Sequence, residues 1–296
     1  MSDTDPQPVP YKPSTPLVEA IQLDDEEESV RWVQELLDAG EDPNAFDHVA
    51  QMFPLDAAWS EAVWEEQKSD RVLRLLLERG ADVQIMAEKS LYLFELFVRG
   101  PFELTSMMFK HGLNFSSFYY TTELGERICS CDNLLTELIE AGEYEKIKKL
   151  EPFGILEFIH MFDDLGDAPL GYFAREGDRI AADWLLKHGA DINLHSESLI
   201  GSTALDRAVH EHDLRMIEFL LDRGANPNIP TWMWITATDR VSKFGSVKTK
   251  GHHDSSKDAD LVDIKRMVLE ASKKFPPPTY PDGSKPKVWP PDPMLK

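Results

Sequence analysis

The sequence predicts an all-α solenoid, in which pairs of short helices stack in a row and finger-like turns join them. One observation is that six glycines punctuate the 296-residue chain at a near-regular interval: Gly40, Gly80, Gly112, Gly154, Gly189 and Gly224. Repetition over this length is typical of stacked supersecondary units. The other observations are apolar residues at helical spacing before most of these glycines, and turn-forming residues such as aspartate or asparagine after them.

Residues 168–193 and 203–228 are the clearest copies of the repeat. Each opens with a short helix whose small residues, Ala174 and Ala208, allow close packing on a neighbouring helix. A second helix follows, with one apolar stripe that predicts a buried face. The glycine that closes each copy suits the left-handed backbone that ends a helix, and the next Asp or Asn is expected to hydrogen-bond the turn.

These residues resemble the ankyrin repeat, in which a Thr-Pro-Leu-His helix start is followed by a second helix ending in Leu-Leu and then by Gly-Ala-Asp. The resemblance is also clear in residues 71–82, good in 30–44, and weak in 102–115 and 144–154. It implies an array between a mobile N-terminal arm, 1–14, and a proline-rich C-terminal tail, 276–296. We expect repeat units near residues 15–47, 53–86, 91–117, 133–157, 168–194, 203–229 and 231–275.

Departures from the repeat predict where the array is modified. An insertion at 118–127 enlarges the turn after Gly112, and another at about 239–258 splits the last unit. Insertions in a solenoid fall in loops, often on the binding face. Residues 232–237 are predicted to form the first helix of the last unit, with 261–272 as its second helix. The acidic run 24–28 is predicted to be a solvated loop.

Composition excludes several classes of protein. The net charge of −22 argues against nucleic-acid binding, which needs a basic surface, and is compatible with a basic protein partner. No apolar stretch is long enough to span a membrane, and the N-terminus lacks the pattern of a secretion signal. Two cysteines are too few for a disulfide framework. We therefore expect a monomer in a reducing compartment, cytoplasmic or nuclear.

The resemblance implies that first helices and turns line a concave groove. The turns are unusually aromatic for segments that only face water, and aromatic anchors carry much of the energy of protein interfaces. For any single one of these aromatic residues, packing in the core is the alternative. The predicted binding residues are Phe46, Met86, Arg99, Phe118, Tyr119, Tyr120, Phe162, Arg175, Glu176, His210, Glu211, Trp232 and Trp234.

The predicted function is non-catalytic binding of a protein or peptide, as a scaffold or adaptor that escorts a basic client. The alternative is a small-molecule-binding protein or an enzyme with isomerase- or cyclase-type acid–base chemistry in an aromatic groove. Asp163 and Asp164 would serve such chemistry only if the groove closed over them. His210 and His212 point to different sides of a helix and cannot share a metal. No catalytic residue, cofactor or metal site is predicted.

Overall fold

The computed structural model describes residues 15–64, 69–89, 97–130, 132–197, 199, 201–231, 234–242 and 255–277. The chain divides into two compact units, an N-terminal unit, Met1–Phe118, and a C-terminal unit, Tyr119–Lys296. Both units are built mainly from short helices. None of the helices within the described ranges is long and apolar enough to cross a membrane.

The N-terminal unit contains helix pairs and a closing turn of 3-10 helix at Phe115–Phe118. Proline stands at the first position of α1 and of α3, where its fixed φ suits a helix start and its missing N–H costs no hydrogen bond. The named helices are α1 (Pro16–Ile21), α2 (Glu26–Asp38), α3 (Pro54–Trp64), α4 (Arg71–Glu78), α5 (Val83–Lys89) and α6 (Phe102–Lys110).

The C-terminal unit starts with a small hairpin, β1 (Tyr119–Thr121) and β2 (Arg127–Cys129), which is antiparallel. Helices follow in pairs, and short 3-10 helices lie at Glu151–Phe153 and Ile155–His160. The helices are α7 (Leu134–Glu140), α8 (Tyr144–Leu150), α9 (Pro169–Glu176), α10 (Arg179–Lys187), α11 (Ala204–His210), α12 (Leu214–Asp222), α13 (Ala237–Ser242) and α14 (Ser255–Ser272).

The helix pairs stack as the repeat predicts. In the N-terminal unit, α1 packs on α3 and α2 packs on α4. In the C-terminal unit, the first helices form a row in which α9 packs on α11 and α11 on α13, while α12 packs on α14. Ala174 and Ala208 are fully buried, so the small residues of the first helices do permit close stacking.

The six glycines all have positive φ angles, and for Gly189 and Gly224 this confirms the predicted role at helix ends. After Gly189, the Ala190 N–H donates to the Leu185 carbonyl at 3.0 Å, and Ala225 donates to Leu220 in the same way. Gly154 differs, because it joins two short 3-10 helices instead of ending an α-helix. Pro152 lies at the start of the first of these, where it interrupts the helical repeat.

Two local predictions are wrong. Most of the acidic run at 24–28 is helical: Asp25 caps α2, its carboxylate accepting the Glu28 N–H at 2.8 Å, and carboxylates in a first turn suit the helix dipole. The first helix of the last unit begins at Ala237 and not near residue 232. Thr236 and Asp239 exchange hydrogen bonds at this helix start, which sets its position.

Candidate functional site

The C-terminal ends of three successive first helices carry exposed polar side chains. We call Glu140 of α7, Glu176 of α9, and His210 with Glu211 of α11 the first-helix strip. All four side chains are exposed. The strip therefore presents three carboxylates and one histidine on the row of first helices. The binding role of Glu176, His210 and Glu211 stays a prediction.

Arg175 was predicted as a groove residue, but it is partly buried and takes part in a structural network. Its guanidinium donates to Asp167 at 3.0 Å and to Glu176 at 3.2 Å, and it lies 4.9 Å from the centre of the Tyr172 ring. Arg207 of α11 donates to the other oxygen of Asp167 at 2.7 Å. Asp167, whose side chain is fully buried, thus joins two successive first helices.

The next pair of helices repeats this arrangement. Arg240 on α13 donates from two nitrogens to the two oxygens of buried Asp206 on α11, at 2.8 and 2.9 Å. Burial raises the pKa of Asp167, while the guanidinium groups of Arg207 and Arg175 act in the opposite direction. Arg207 and Arg240 neutralise buried carboxylates, so they add little positive charge to the surface of the strip, whereas Arg175 also pairs with Glu176.

Carboxylates dominate the start of the strip. The Tyr172 hydroxyl donates to Glu140 at 2.7 Å, and burial together with this bond raises the tyrosine pKa. Burial also raises the pKa of Glu137, and the nearby Asp132 and Glu140 charges add to that shift. The first-helix side of this unit therefore combines several carboxylates with arginines that already have partners.

Polar side chains in the turns tie neighbouring units together. The Asn193 side-chain oxygen accepts the Asn226 N–H at 2.8 Å, and Asn44 accepts the Asp82 N–H at 2.7 Å in the N-terminal unit. His160 occupies the corresponding place in the irregular part, where its Nε2 lies 3.1 Å from both the Gly189 carbonyl and the Asp191 nitrogen. These bonds fix the spacing of the turns.

The enlarged turn after Gly112 forms a hairpin that the sequence did not predict. Strand β2 pairs with β1 on one edge and with Phe162 on the other, where the Cys129 N–H donates to the Phe162 carbonyl at 2.7 Å. Ile128, Phe162 and Ala168 form a buried cluster. The residues of β1 and β2 favour strands, since Tyr, Thr and Ile suit a pleated, half-buried surface.

Described residues between 194 and 201 pack against this hairpin. The Glu126 carboxylate accepts the Ser196 hydroxyl at 3.0 Å and the Glu197 N–H at 2.7 Å. Leu194 and Leu199 pack on the cluster around Ile128. The hairpin, the turn at 162–167 and the described residues of the 194–201 loop therefore contact one another.

Three of the predicted binding residues are buried, so the prediction that they line a surface is wrong. Met86 is 1% exposed because Val83–Lys89 forms a helix where a turn was expected, with Asp82 accepting the Gln84 N–H at 2.8 Å. Phe118 packs edge-on against Phe97, with ring centres 5.9 Å apart. Phe162 is buried by its pairing with β2.

The remaining predicted residues have mixed environments. Phe46 is half-buried against Phe53, while Arg99 is exposed and lies over the Trp64 ring at 5.8 Å. Tyr119 is half-buried, whereas Tyr120 and Trp234 have exposed fractions of 53% and 48%. Trp232 lies outside the described residues.

Leu124 and Leu165 are exposed residues that the sequence analysis missed. Each leucine lies beside a glycine in a tight turn, and this Leu-Gly pairing was the available signal. Within the described ranges, no group of three or more His, Cys, Asp or Glu residues could hold a metal ion. Asp163 organises a turn, its carboxylate accepting the Leu165 and Asp167 N–H groups, and burial raises its pKa.

Comparison with known proteins identifies a family and structures that contain similar helix pairs. Residues 129–231 match the family model described as ankyrin repeats (3 copies). The human ASB11 ankyrin repeat domain is similar, with 18% identity over 90% of this chain and 100% of that chain, and a TM-score of 0.49. A second similar chain comes from the structure of Bd0816 predatory endopeptidase from Bdellovibrio bacteriovorus in complex with immunity protein Bd3460. Its identity is 21% over 72% of this chain and 100% of that chain, and the TM-score is 0.43. No curated protein matches the chain.

Proposed function

Because the chain is an ankyrin repeat protein, we propose that it is a non-catalytic scaffold or adaptor that binds a basic segment of a protein partner. Ankyrin repeats are generally protein–protein interaction scaffolds. The observation that carries the proposal is the first-helix strip, where Glu140, Glu176 and Glu211 stand exposed on successive stacked helices.

Charge supports a basic partner in two ways. The net charge of −22 attracts cations over a long range, and local carboxylates then fix the orientation of the bound segment. The arginines behind the strip do not cancel it, because Arg207 and Arg240 are committed to Asp167 and Asp206. A lysine- or arginine-rich segment is therefore the complementary ligand.

The test is binding of a fluorescent synthetic peptide of alternating lysine and leucine to the full-length protein, followed by anisotropy. The Glu176→Gln/Glu211→Gln variant removes two charges from the strip. The matched control, Glu145→Gln/Glu218→Gln, removes two exposed charges from the second helices α8 and α12. All four positions are exposed, so neither variant should unfold the protein.

The proposal predicts that affinity falls as salt rises and that the strip variant loses about threefold to tenfold, as expected for exposed charge pairs. The control variant should bind like wild type at matched salt. Equal losses in the two variants, or binding that does not respond to salt, would contradict the proposal.

A further inference from the structure

The structure also offers a surface that differs from the first-helix strip in having exposed apolar side chains. Tyr120, Leu124 and Leu165 have exposed fractions of 53%, 64% and 55%. We call these three side chains the finger patch. Exposed apolar side chains scattered singly need no explanation, whereas apolar side chains grouped on one rigid structure mark interaction sites.

The three segments that carry or support these side chains contact one another. Tyr120 is paired directly with Ile128 in the hairpin, and Ile128 belongs to the buried cluster with Phe162. Leu124 lies in the turn of that hairpin, two residues before Glu126, which binds the 194–201 loop. Leu165 precedes Gly166, where an added Cβ would lie 3.0 Å from the Leu199 Cβ.

Acidic residues outnumber basic ones in and next to the segments that carry the finger patch. Segments 119–126, 162–167 and 194–199 contain no lysine or arginine. Arg127, the next residue along β2, is engaged by Glu157 at 2.7 Å and lies over the Tyr119 ring. The acidic residues of these segments are Glu123, Glu126, Asp163, Asp164, Asp167 and Glu197.

We propose that the finger patch binds apolar side chains of the same basic segment, so that the preferred partner combines lysine or arginine with leucine-like or aromatic residues. The inference rests on the proposed function and makes it more specific. Asp167 connects the two surfaces, since it follows Leu165 and Gly166 and binds Arg175 and Arg207 of the first helices. Apolar anchors supply affinity in an interface, while the surrounding charges select partners that carry the opposite charge.

The experiment compares three short synthetic peptides on the full-length protein: alternating lysine and leucine, alternating lysine and serine, and alternating glutamate and leucine. The finger-patch variant is Tyr120→Ser/Leu124→Ser/Leu165→Ser. The matched control, Val49→Ser/Ile180→Ser/Val262→Ser, removes three exposed apolar side chains elsewhere, with exposed fractions of 47%, 80% and 67%. Far-UV circular dichroism verifies that each variant is folded.

We expect the lysine–leucine peptide to bind wild type at least about tenfold more tightly than the lysine–serine peptide, a difference set by the apolar anchors. The glutamate–leucine peptide should not bind. The finger-patch variant should lose that tenfold preference, and the control variant should keep it.

The inference is overturned if the two lysine peptides bind wild type equally or if the finger-patch variant keeps its preference for leucine. Its failure is distinguishable from failure of the proposed function. Loss of binding in the Glu176→Gln/Glu211→Gln variant, with an unaffected finger-patch variant, would support the strip and reject the patch. The reverse pattern would support the patch and reject the strip, and failure of both lysine peptides to bind wild type would reject both.

Discussion

Residues 119–167 and residues 168–229 belong to the same unit but differ in which side chains they leave exposed. In the described part of 168–229, Ile180 is the one strongly exposed large apolar residue, and it lies on a second helix. The segment 119–167 exposes Tyr120, Leu124, Phe153 and Leu165.

The difference follows from how each segment ends its helices. In 168–229, Gly189 and Gly224 close α-helices in one repeated geometry. In 119–167, the chain adds a hairpin and 3-10 helices, and these segments leave Tyr120, Leu124, Phe153 and Leu165 exposed. In the proposed account, the regular repeats are the scaffold and the irregular segment provides the apolar contacts for a partner.

The largest effect should come from breaking the connection between the two regions. Asp167→Asn replaces one of the two oxygens that accept from Arg175 and Arg207 with an amide NH₂ that cannot accept, and we expect a loss of about 3 kcal/mol of stability, since the guanidinium donor left without an acceptor outweighs the relief of burying a charge. Urea unfolding followed by circular dichroism measures it. Asp164→Asn is the matched control at an exposed neighbour, and an equal effect of the two changes would show that Asp167 has no special role.

A somewhat smaller effect is expected at the contact between the 194–201 loop and its surroundings. In Gly201→Ala, the new Cβ would lie 2.5 Å from the Ser196 nitrogen, so the loop must shift. We expect a loss of about 2 kcal/mol, as in other overpacked sites, and weaker binding of the lysine–leucine peptide. Ser202→Ala provides the control at the next residue. Wild-type stability and binding in Gly201→Ala would mean that this loop does not support the finger patch.

The hydrogen bonds between turns should matter less. Asn193→Ala removes the acceptor of the Asn226 N–H, and a loss of about 1 kcal/mol is expected for one partly buried hydrogen bond. Thermal unfolding of Asn193→Ala and of Asn44→Ala should show similar losses, because Asn44 makes the equivalent bond to Asp82. If the melting temperature of neither variant changes, these hydrogen bonds do not contribute measurably to stability.

Much of the helical repeat could be predicted from sequence, whereas the features of the irregular segment depend largely on contacts between distant residues. Glycine positions, proline helix starts and helix pairing follow local rules, so the regular copies at 168–193 and 203–228 were readable. The hairpin was not predicted, because its strands are three residues long and β2 is held by Phe162 from far along the chain. Met86 was misplaced for a local reason: Asp82 starts a helix there instead of a turn.

The candidate site was predicted less completely than the fold. Glu176, His210 and Glu211 lie where the repeat predicts, since their register follows from the first helix. Arg175 immediately precedes Glu176 on the same helix, but its guanidinium binds the Asp167 carboxylate. Asp167 is buried and lies before the start of that helix. Burial of Asp167 depends on α11 of the next repeat, which local sequence patterns do not report.

The smallest effect concerns pH. Burial raises the pKa of Glu137 above its ordinary value, so the folded state binds this proton more tightly than the unfolded state does. Ionisation therefore costs stability at neutral pH, and the cost disappears as pH falls below the ordinary pKa of the side chain. Glu137→Gln should raise the melting temperature slightly at neutral pH and leave it unchanged in acid, whereas Glu145→Gln, at an exposed site, should do neither. A melting temperature that rises only in acid would contradict the direction assigned to the pKa shift of Glu137.

Hydrogen–deuterium exchange with and without the lysine–leucine peptide tests the central claim most directly. The account predicts that the bound peptide protects residues 119–126, 162–167 and 194–199, together with the ends of the first helices at 137–140, 174–176 and 208–211. Protection confined to the second helices, Tyr144–Leu150, Arg179–Lys187 and Leu214–Asp222, would contradict it.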